Sequence, residues 1–565
     1  MKPHRLLIVG GVAGGASAAA RARRLSETAE IVVFERGPDV SFANCGLPYF
    51  VGGEIEEREN LVVQTPASLH ARFNLDVRPR HEVVSVHPDR QEIVVRQLAT
   101  GDTFTERYDS LILATGAAPL RPPIPGIDRA GHFVVRNLGD ADQIQTWLQD
   151  PKVRRAVVVG GGYIGLEMAE QLHRRGLAVT VVEAQAQIMA PLDPELAALL
   201  QAELKQQGVS LHLNNGVAAF EAPASESEAR ASMVVLKGGQ RLPADLVILG
   251  LGVRPDVPLA RAAGLRLGTT GGIAVDAHMR TSDPHIWAVG DAVEVQDPVT
   301  DQLALIPLAG PANRQGRLAA DSIFGRVDSY RGTWGTAILR LFSLTAACTG
   351  ANERALQRVG RAHQSVQIYS GSHAGYFPGA ERMTLKIHFD PDTGRLLGAQ
   401  GVGPAGVDKR IDVLATALQA GLTVDDLAEL ELAYAPSFSS AKDPVNLIGM
   451  AAQNLQEHRV AVVQWHELPA RLAAGVGLLD VRSPEERARG AVPGSVHIPL
   501  PELREHFAQL DPSRDWVVYC ASGQRSYYAC QVLQQHGYRV ANLSGAYLTW
   551  KTVTDAGLLP TVAAA

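Results

Sequence analysis

Ala156-Val157-Val158-Val159-Gly160-Gly161-Gly162-Tyr163-Ile164-Gly165 is the stretch on which the fold turns. An apolar run of this length predicts a strand buried on both faces, and the glycines after it predict a tight turn into a helix. The helix is expected to run through Arg175, and a strand from Val179 to Val182 then ends in Glu183. Gly160, Gly162 and Gly165 meet the spacing that a dinucleotide requires. The chain must turn sharply, approach a pyrophosphate with bare backbone, and point the free N–H groups of a helix N-terminus at the phosphates. Glu183 is placed to accept from ribose hydroxyls. Its charge would repel the extra phosphate of NADP, so NADH is favoured, with NADPH as the second choice. Tyr163 and Ile164 lie in the turn, and Tyr163 is a candidate gate for the nicotinamide.

The same unit occurs once more, at the start of the chain. Leu6-Leu7-Ile8-Val9 leads into Gly10-Gly11-Val12-Ala13-Gly14-Gly15, an Ala/Arg-rich helix, and a strand Ile31 to Phe34 ending in Glu35. Here Val12 replaces the middle glycine, so Gly10, Ala13 and Gly15 form a weaker signature. Two distant pieces support it. Ala114-Thr115-Gly116 supplies a crossover between two nucleotide domains, and the segment Thr281 to Ala292 carries a strand ending in Gly290-Asp291, whose carboxylate suits a ribityl chain. Together these make FAD the expected occupant of the first cradle and NAD(P)H that of the second.

Composition sets the frame. A chain of 565 residues exceeds one hydrophobic core. With 46% hydrophobic and 20% charged residues and a net charge of -6, it has the balance of a soluble globular protein and no electrostatic reason to bind nucleic acid or an anionic membrane. Four cysteines cannot form a disulfide framework at this length and fit thiols that do chemistry in a reducing compartment. The basic, alanine-rich N-terminus superficially looks like a signal peptide. Its glycines and the cluster Arg21, Arg23, Arg24 read instead as a first strand and helix, so a cytoplasmic protein is expected. No metal is expected.

These features resemble the two-dinucleotide flavoprotein disulfide reductases. Within that superfamily the segment Ser41-Phe42-Ala43-Asn44-Cys45-Gly46-Leu47-Pro48-Tyr49 carries one cysteine where many members carry two, which is similar to the single-cysteine branch of coenzyme A disulfide reductases, NADH peroxidases and NADH oxidases. Ala13 stands where the peroxidases and oxidases have a histidine, so the resemblance implies thiol rather than peroxide chemistry. His373 to Ala380 and Leu432 to Pro436 resemble the segments whose tyrosines, here Tyr376 and Tyr434, reach the partner subunit's cysteine. Ser439 to Asn446 resembles the dimer-domain signature, in which Lys442 contacts coenzyme A. The resemblance also assigns Ser17, Arg21, Arg24, Ser41 and Asn44 to coenzyme A. Phe438 and Asn313 depart from it, standing where many members have a tyrosine and some a histidine. Cys348 and Cys530 read as buried apolar residues.

The last hundred residues alternate short strands and helices. Cys520-Ala521-Ser522-Gly523-Gln524-Arg525 follows a strand, Trp516 to Tyr519, and precedes a helix. Such a loop turns successive N–H groups inward as an anion nest and favours a thiolate. Cys-x-x-Gly-x-Arg is similar to the active loop of rhodanese domains, and Leu478 to Arg482 and Gly494 to Pro499 resemble their other signatures. Cys520 and Arg525 are therefore expected to handle sulfane sulfur.

The expected architecture is α/β: two Rossmann-like dinucleotide-binding domains, an α+β dimerisation domain and a rhodanese-like α/β domain. The boundaries are an FAD-binding domain over 1–116 and 251–325, an NAD(P)H-binding domain over 117–250, a dimerisation domain over 326–450, a linker over 451–464 and a rhodanese-like domain over 465–565. The expected activity is NAD(P)H-dependent reduction of coenzyme A persulfide, polysulfide or coenzyme A disulfide through Cys45. Cys520 would deliver sulfur, in a homodimer whose active site is shared between subunits. A plain coenzyme A disulfide reductase, with the C-terminal domain accessory or docking, is the alternative.

Overall fold

The computed structural model describes residues 3–223, 225 and 230–559, which form two compact units. The first, over 1–186 and 209–335, holds two five-stranded parallel sheets. In one, Arg5–Val9 pairs with Glu30–Glu35 on one side and Ser110–Leu113 on the other, with Asp76–Pro79 and Ile286–Ala288 at the edges. Leu7 and Val9 face one core, shared with Val83, Ile93 and Val95; Leu6 and Ile8 face another, shared with Ala18, Ala22 and Ala319. Both faces are covered, which is why the strand reads as an unbroken apolar run. Each fully buried Leu or Ile contributes about 1.5–3 kcal/mol. The helices Ala13–Leu25 and Ala309–Ile323 approach so closely that a Cβ on Gly316 would lie 2.1 Å from the Gly14 carbonyl oxygen.

The second sheet repeats the plan. Arg155–Val159 is central, flanked by Ala178–Val182 and Leu246–Leu249, with Ser210–His212 and His132–Phe133 outermost. In both sheets the chain crosses to opposite sides of the strand that precedes the glycine turn. That reversal opens a crevice at the strand's carboxyl end, where the glycines sit. The strands Ala117–Pro119 and Val253–Pro255 pair antiparallel directly after these sheets.

The second unit comprises 187–208 and 336–565. Its antiparallel sheet runs Ala337–Leu341, Leu344–Gly350, Leu396–Gly403, Arg382–Phe389, Gln364–Gly371. Residues 187–208 are grouped with this unit. There buried Lys386 meets Asp193 at 2.9 Å, Glu195 at 2.6 Å and Glu353 at 3.2 Å, and His388 meets Asp193 at 2.9 Å.

A parallel sheet of Ala461–Val463, Val540–Leu543, Trp516–Tyr519, Gly477–Asp480 and Val496–His497 forms the C-terminal part. The expected linker is not a free segment. Residues 451–456 complete the helix Pro444–Gln456, and Ala461–Val463 already belongs to the C-terminal sheet. Side-chain polarity at Gln453, Asn454 and Gln456 marks a helix end at the boundary between the two domains. Thr549 is hydrogen-bonded to Gln367 and Tyr369 at 3.0 Å each, tying the C-terminal part to the antiparallel sheet. Among the described residues no helix is long and apolar enough to cross a membrane.

Candidate active site

The two glycine turns share one geometry. Gly10 has φ +100° and a Cβ there would lie 2.3 Å from the Ala114 oxygen; Gly160 has φ +112° and its Cβ would lie 2.1 Å from the Gly250 oxygen. A Cβ on Gly15 would lie 1.8 Å from the Gly10 oxygen, and one on Gly165 2.0 Å from the Gly160 oxygen. These positions tolerate glycine alone. Gly162, by contrast, faces open space, the room a pyrophosphate needs. The helices that begin at Ala13 and Tyr163 have no side-chain cap at the N-terminus, where a helix favours an anion.

The acids at the strand ends are held alike. Glu35 accepts from the N–H groups of Gly11 (2.9 Å) and Gly37 (2.7 Å); Glu183 accepts from those of Gly161 (2.7 Å) and Gln185 (2.8 Å). Thr115 donates to the Asp256 carbonyl at 2.6 Å, and Gly116 takes φ +70°. Asp291 lies in the turn Gly290–Ala292; burial pushes its carboxyl up, with Arg136 partly opposing. Tyr163 is half-buried and Ile164 exposed at the helix start. An uncapped helix start and an oriented carboxylate fit a dinucleotide in each crevice, and the second adds the bare face of Gly162.

Cys45 occupies a short turn, Asn44–Gly46, that feeds the helix Leu47–Gly52. Ser41 takes φ +46°, and the Asn44 side chain accepts from the Cys45 N–H at 3.1 Å. The residue is exposed, yet burial around its thiol pushes it up, and the charges of Glu167 and Asp291 push the same way. Glu167 escaped sequence reading. It lies one helical turn beyond Tyr163, and Tyr49 donates to it at 3.2 Å. Arg175 also donates to the Val51 carbonyl at 2.9 Å and Gln171 to Glu54 at 2.9 Å. The helix after Cys45 is thus bolted to the helix that starts at the second glycine turn.

Glu167→Gln removes one like charge while Asp291, faced by Arg136, stays. The alkylation rate of Cys45 by iodoacetamide, followed against pH, should then show its midpoint at lower pH. An unmoved midpoint would assign the rise to burial and Asp291 alone.

Of the residues assigned to coenzyme A, Ser17 donates to Asn313 at 2.6 Å, and Arg21 donates to Asp321 through Nε (2.8 Å) and Nη2 (2.5 Å). Arg24 is exposed in the last turn of its helix. In the second unit Tyr376 and Tyr434 share a hydrogen bond of 3.0 Å between their hydroxyls, though 76% and 48% exposed. Phe438, close after Tyr434 in sequence, is 71% exposed, and Lys442 is exposed. Asp443, which accepts from buried Arg410 at 3.0 Å and Ser439 at 2.5 Å, anchors the chain immediately after Lys442.

Cys520 is buried at the end of Trp516–Tyr519. Its sulfur accepts from the Gly523 N–H at 3.1 Å and the Ser526 hydroxyl at 3.4 Å. Arg525 donates from Nη1 and Nη2 to the Glu486 carboxylate at 2.7 and 2.6 Å, and its guanidinium also interacts with the Cys520 sulfur. Cys348 and Cys530 are 6% and 0% exposed, and burial raises the Cys530 thiol.

A family model for pyridine nucleotide-disulphide oxidoreductases matches residues 4–316, its dimerisation-domain model 337–444, and a rhodanese-like-domain model 464–552. The coenzyme A disulfide reductase of Staphylococcus epidermidis is 36% identical over 451 residues, 80% of this chain and all of that protein. The crystal structure of reduced Bacillus anthracis CoADR-RHD superposes with a TM-score of 0.95 at 46% identity, covering 98% of this chain and 99% of that one. An NAD-dependent persulfide reductase from A. fulgidus superposes with a TM-score of 0.90 at 37% identity, covering 97% and 100%.

Proposed function

Because the chain belongs to the pyridine nucleotide-disulphide oxidoreductase family, we propose that its solitary Cys45 works as the exchange thiol of an NADH-dependent coenzyme A persulfide reductase. Gly10, Ala13, Gly15, Glu35, Ala114, Thr115, Gly116 and Asp291 would hold FAD; Gly160, Gly162, Gly165 and Glu183 would hold NADH. FAD, when bound, supplies the two-electron relay between nicotinamide and thiol.

The Cys45 thiolate attacks the inner sulfur of coenzyme A persulfide, forming a Cys45–S–S–CoA bond and releasing hydrosulfide. Two electrons originating in NADH cleave that bond, and the thiolate and free coenzyme A return. Having no second cysteine nearby in sequence, Cys45 takes coenzyme A as its disulfide partner. Tyr376 and Tyr434 would serve the cysteine of a second subunit, a reading supported by their exposure, their mutual hydrogen bond and the dimerisation-domain match. Cys520 loads a sulfane sulfur and passes it to coenzyme A.

The observation that carries this reading is the joining of a single-thiol reductase to a Cys520 that accepts a backbone N–H in one chain. The likeness to a coenzyme A disulfide reductase favours a second reading, disulfide reduction with the C-terminal part as accessory. NADH consumption with each substrate separates the two. Coenzyme A persulfide should turn over faster than coenzyme A disulfide, and the opposite order establishes the second reading.

A further inference from the structure

Three arginines of the C-terminal part, Arg525, Arg482 and Arg487, are engaged by carboxylates. Arg525 makes a bidentate pair with Glu486, Arg482 is paired with Asp480 at 2.7 Å, and Arg487 reaches the same Asp480 at 3.2 Å. Asp480 is locked in place by the Tyr519 hydroxyl at 2.8 Å, directly before Cys520. Glu486 is itself fixed by a capping box: Ser483 donates its N–H to Glu486 at 3.0 Å and accepts the Glu486 N–H at 3.3 Å. The Arg525 bond holds the Glu486 carboxyl down at about 2, so the pair stays ionised throughout the working pH range. An incoming group at the Cys520 sulfur therefore meets the Gly523 N–H and a guanidinium that faces the sulfur while Glu486 offsets its charge.

We propose that Glu486 is a positioning residue that offsets the charge of Arg525 and thereby favours at the Cys520 loop donors whose reacting sulfur group carries at most one charge, the persulfides of organic thiols, over thiosulfate, which brings two charges to that point. The inference rests on sulfur transfer at Cys520. A thiol persulfide, R–S–SH, gives its outer sulfur to the Cys520 thiolate: the S–S bond to R–S breaks, a new Cys520–S bond forms, and R–S⁻ departs. No cation is needed to hold a sulfonate in that exchange. Thiosulfate would have to settle two negative charges beside the thiolate, where only an uncompensated arginine could hold them.

The test uses the full-length protein and follows sulfur loading on the Cys520 peptide by mass spectrometry, with glutathione persulfide and thiosulfate as donors. Wild type should load faster from the persulfide. Glu486→Gln keeps the capping box, since Gln serves as well as Glu there, and frees Arg525. Its thiosulfate-to-persulfide rate ratio should rise at least about tenfold, and Glu486→Asp should restore the wild-type ratio. Ser483→Ala weakens the cap without altering charge and should leave the ratio in place. Equal loading of wild type by both donors, an unchanged ratio in Glu486→Gln, or the same change in Ser483→Ala overturns the proposal. Failure of the underlying reading looks different: neither donor would load Cys520 in wild type.

Discussion

Cys45→Ser is expected to lower NADH-dependent reduction of coenzyme A persulfide and of coenzyme A disulfide by at least about a thousandfold. A serine hydroxyl is a far weaker nucleophile toward sulfur and cannot hold a mixed disulfide. Cys348 and Cys530 are buried and cannot take over, and Cys520 belongs to the second unit, away in sequence from both glycine turns. Two further readouts follow. The variant should lose the coenzyme A adduct that a native mass spectrum of the oxidised wild type would carry. It should keep its affinity for FAD and NADH, since both glycine turns hold their shape through backbone contacts with Ala114 and Gly250. Retention of more than about a tenth of the activity would place the chemistry at another residue.

Lys386→Met should destabilise the second unit by about 3–5 kcal/mol at neutral pH. Lys386 is 2% exposed and meets Asp193, Glu195 and Glu353, so its removal leaves three carboxylates with no neighbouring ammonium. Burial alone would discharge this lysine, yet the carboxylates raise it above its ordinary 10.5. Burial likewise opposes ionisation of Asp193, and Lys386 with His388 overcomes it, holding that carboxyl far below its ordinary 3.8.

The signs fix a window. The Asp193 contribution is present above 3.8 and is lost as pH falls toward the folded value; the Lys386 contribution is present below 10.5 and is lost as pH rises toward its folded value. Wild-type stability from this network is therefore flat between those limits. In the variant the abandoned carboxylates can relieve their repulsion only by binding protons, so its deficit should shrink as pH is lowered toward 5. Denaturant unfolding of both proteins at two pH values measures this. A deficit below about 1 kcal/mol at neutral pH would mean that an apolar side chain replaces the cluster without loss.

Both glycine turns, the acids Glu35 and Glu183 and the Cys520 loop were legible along the chain because each is a local constraint. A turn with φ near +100° and no room for a Cβ admits glycine whatever surrounds it, and a carboxylate at the end of the next strand follows from one helix and one strand of fixed rise. The two tyrosines, 58 residues apart, were legible only through resemblance, yet they meet as one hydrogen-bonded pair. The helix end at Gln456 was not legible, because a solvated helix end and a loop have the same composition.

What the amino-acid order determined by itself is therefore the chemistry available: one thiol beside a dinucleotide cradle, and a second thiol on a strand-to-helix loop. Tertiary structure alone decided which charges stand against those groups. Glu167 reaches Tyr49 across 118 positions, Glu486 reaches Arg525 across 39, and Glu195 reaches Lys386 across 191. No periodicity encodes such pairs. Coulomb energy depends on separation in space and on burial, and the packing of helices and sheets sets both.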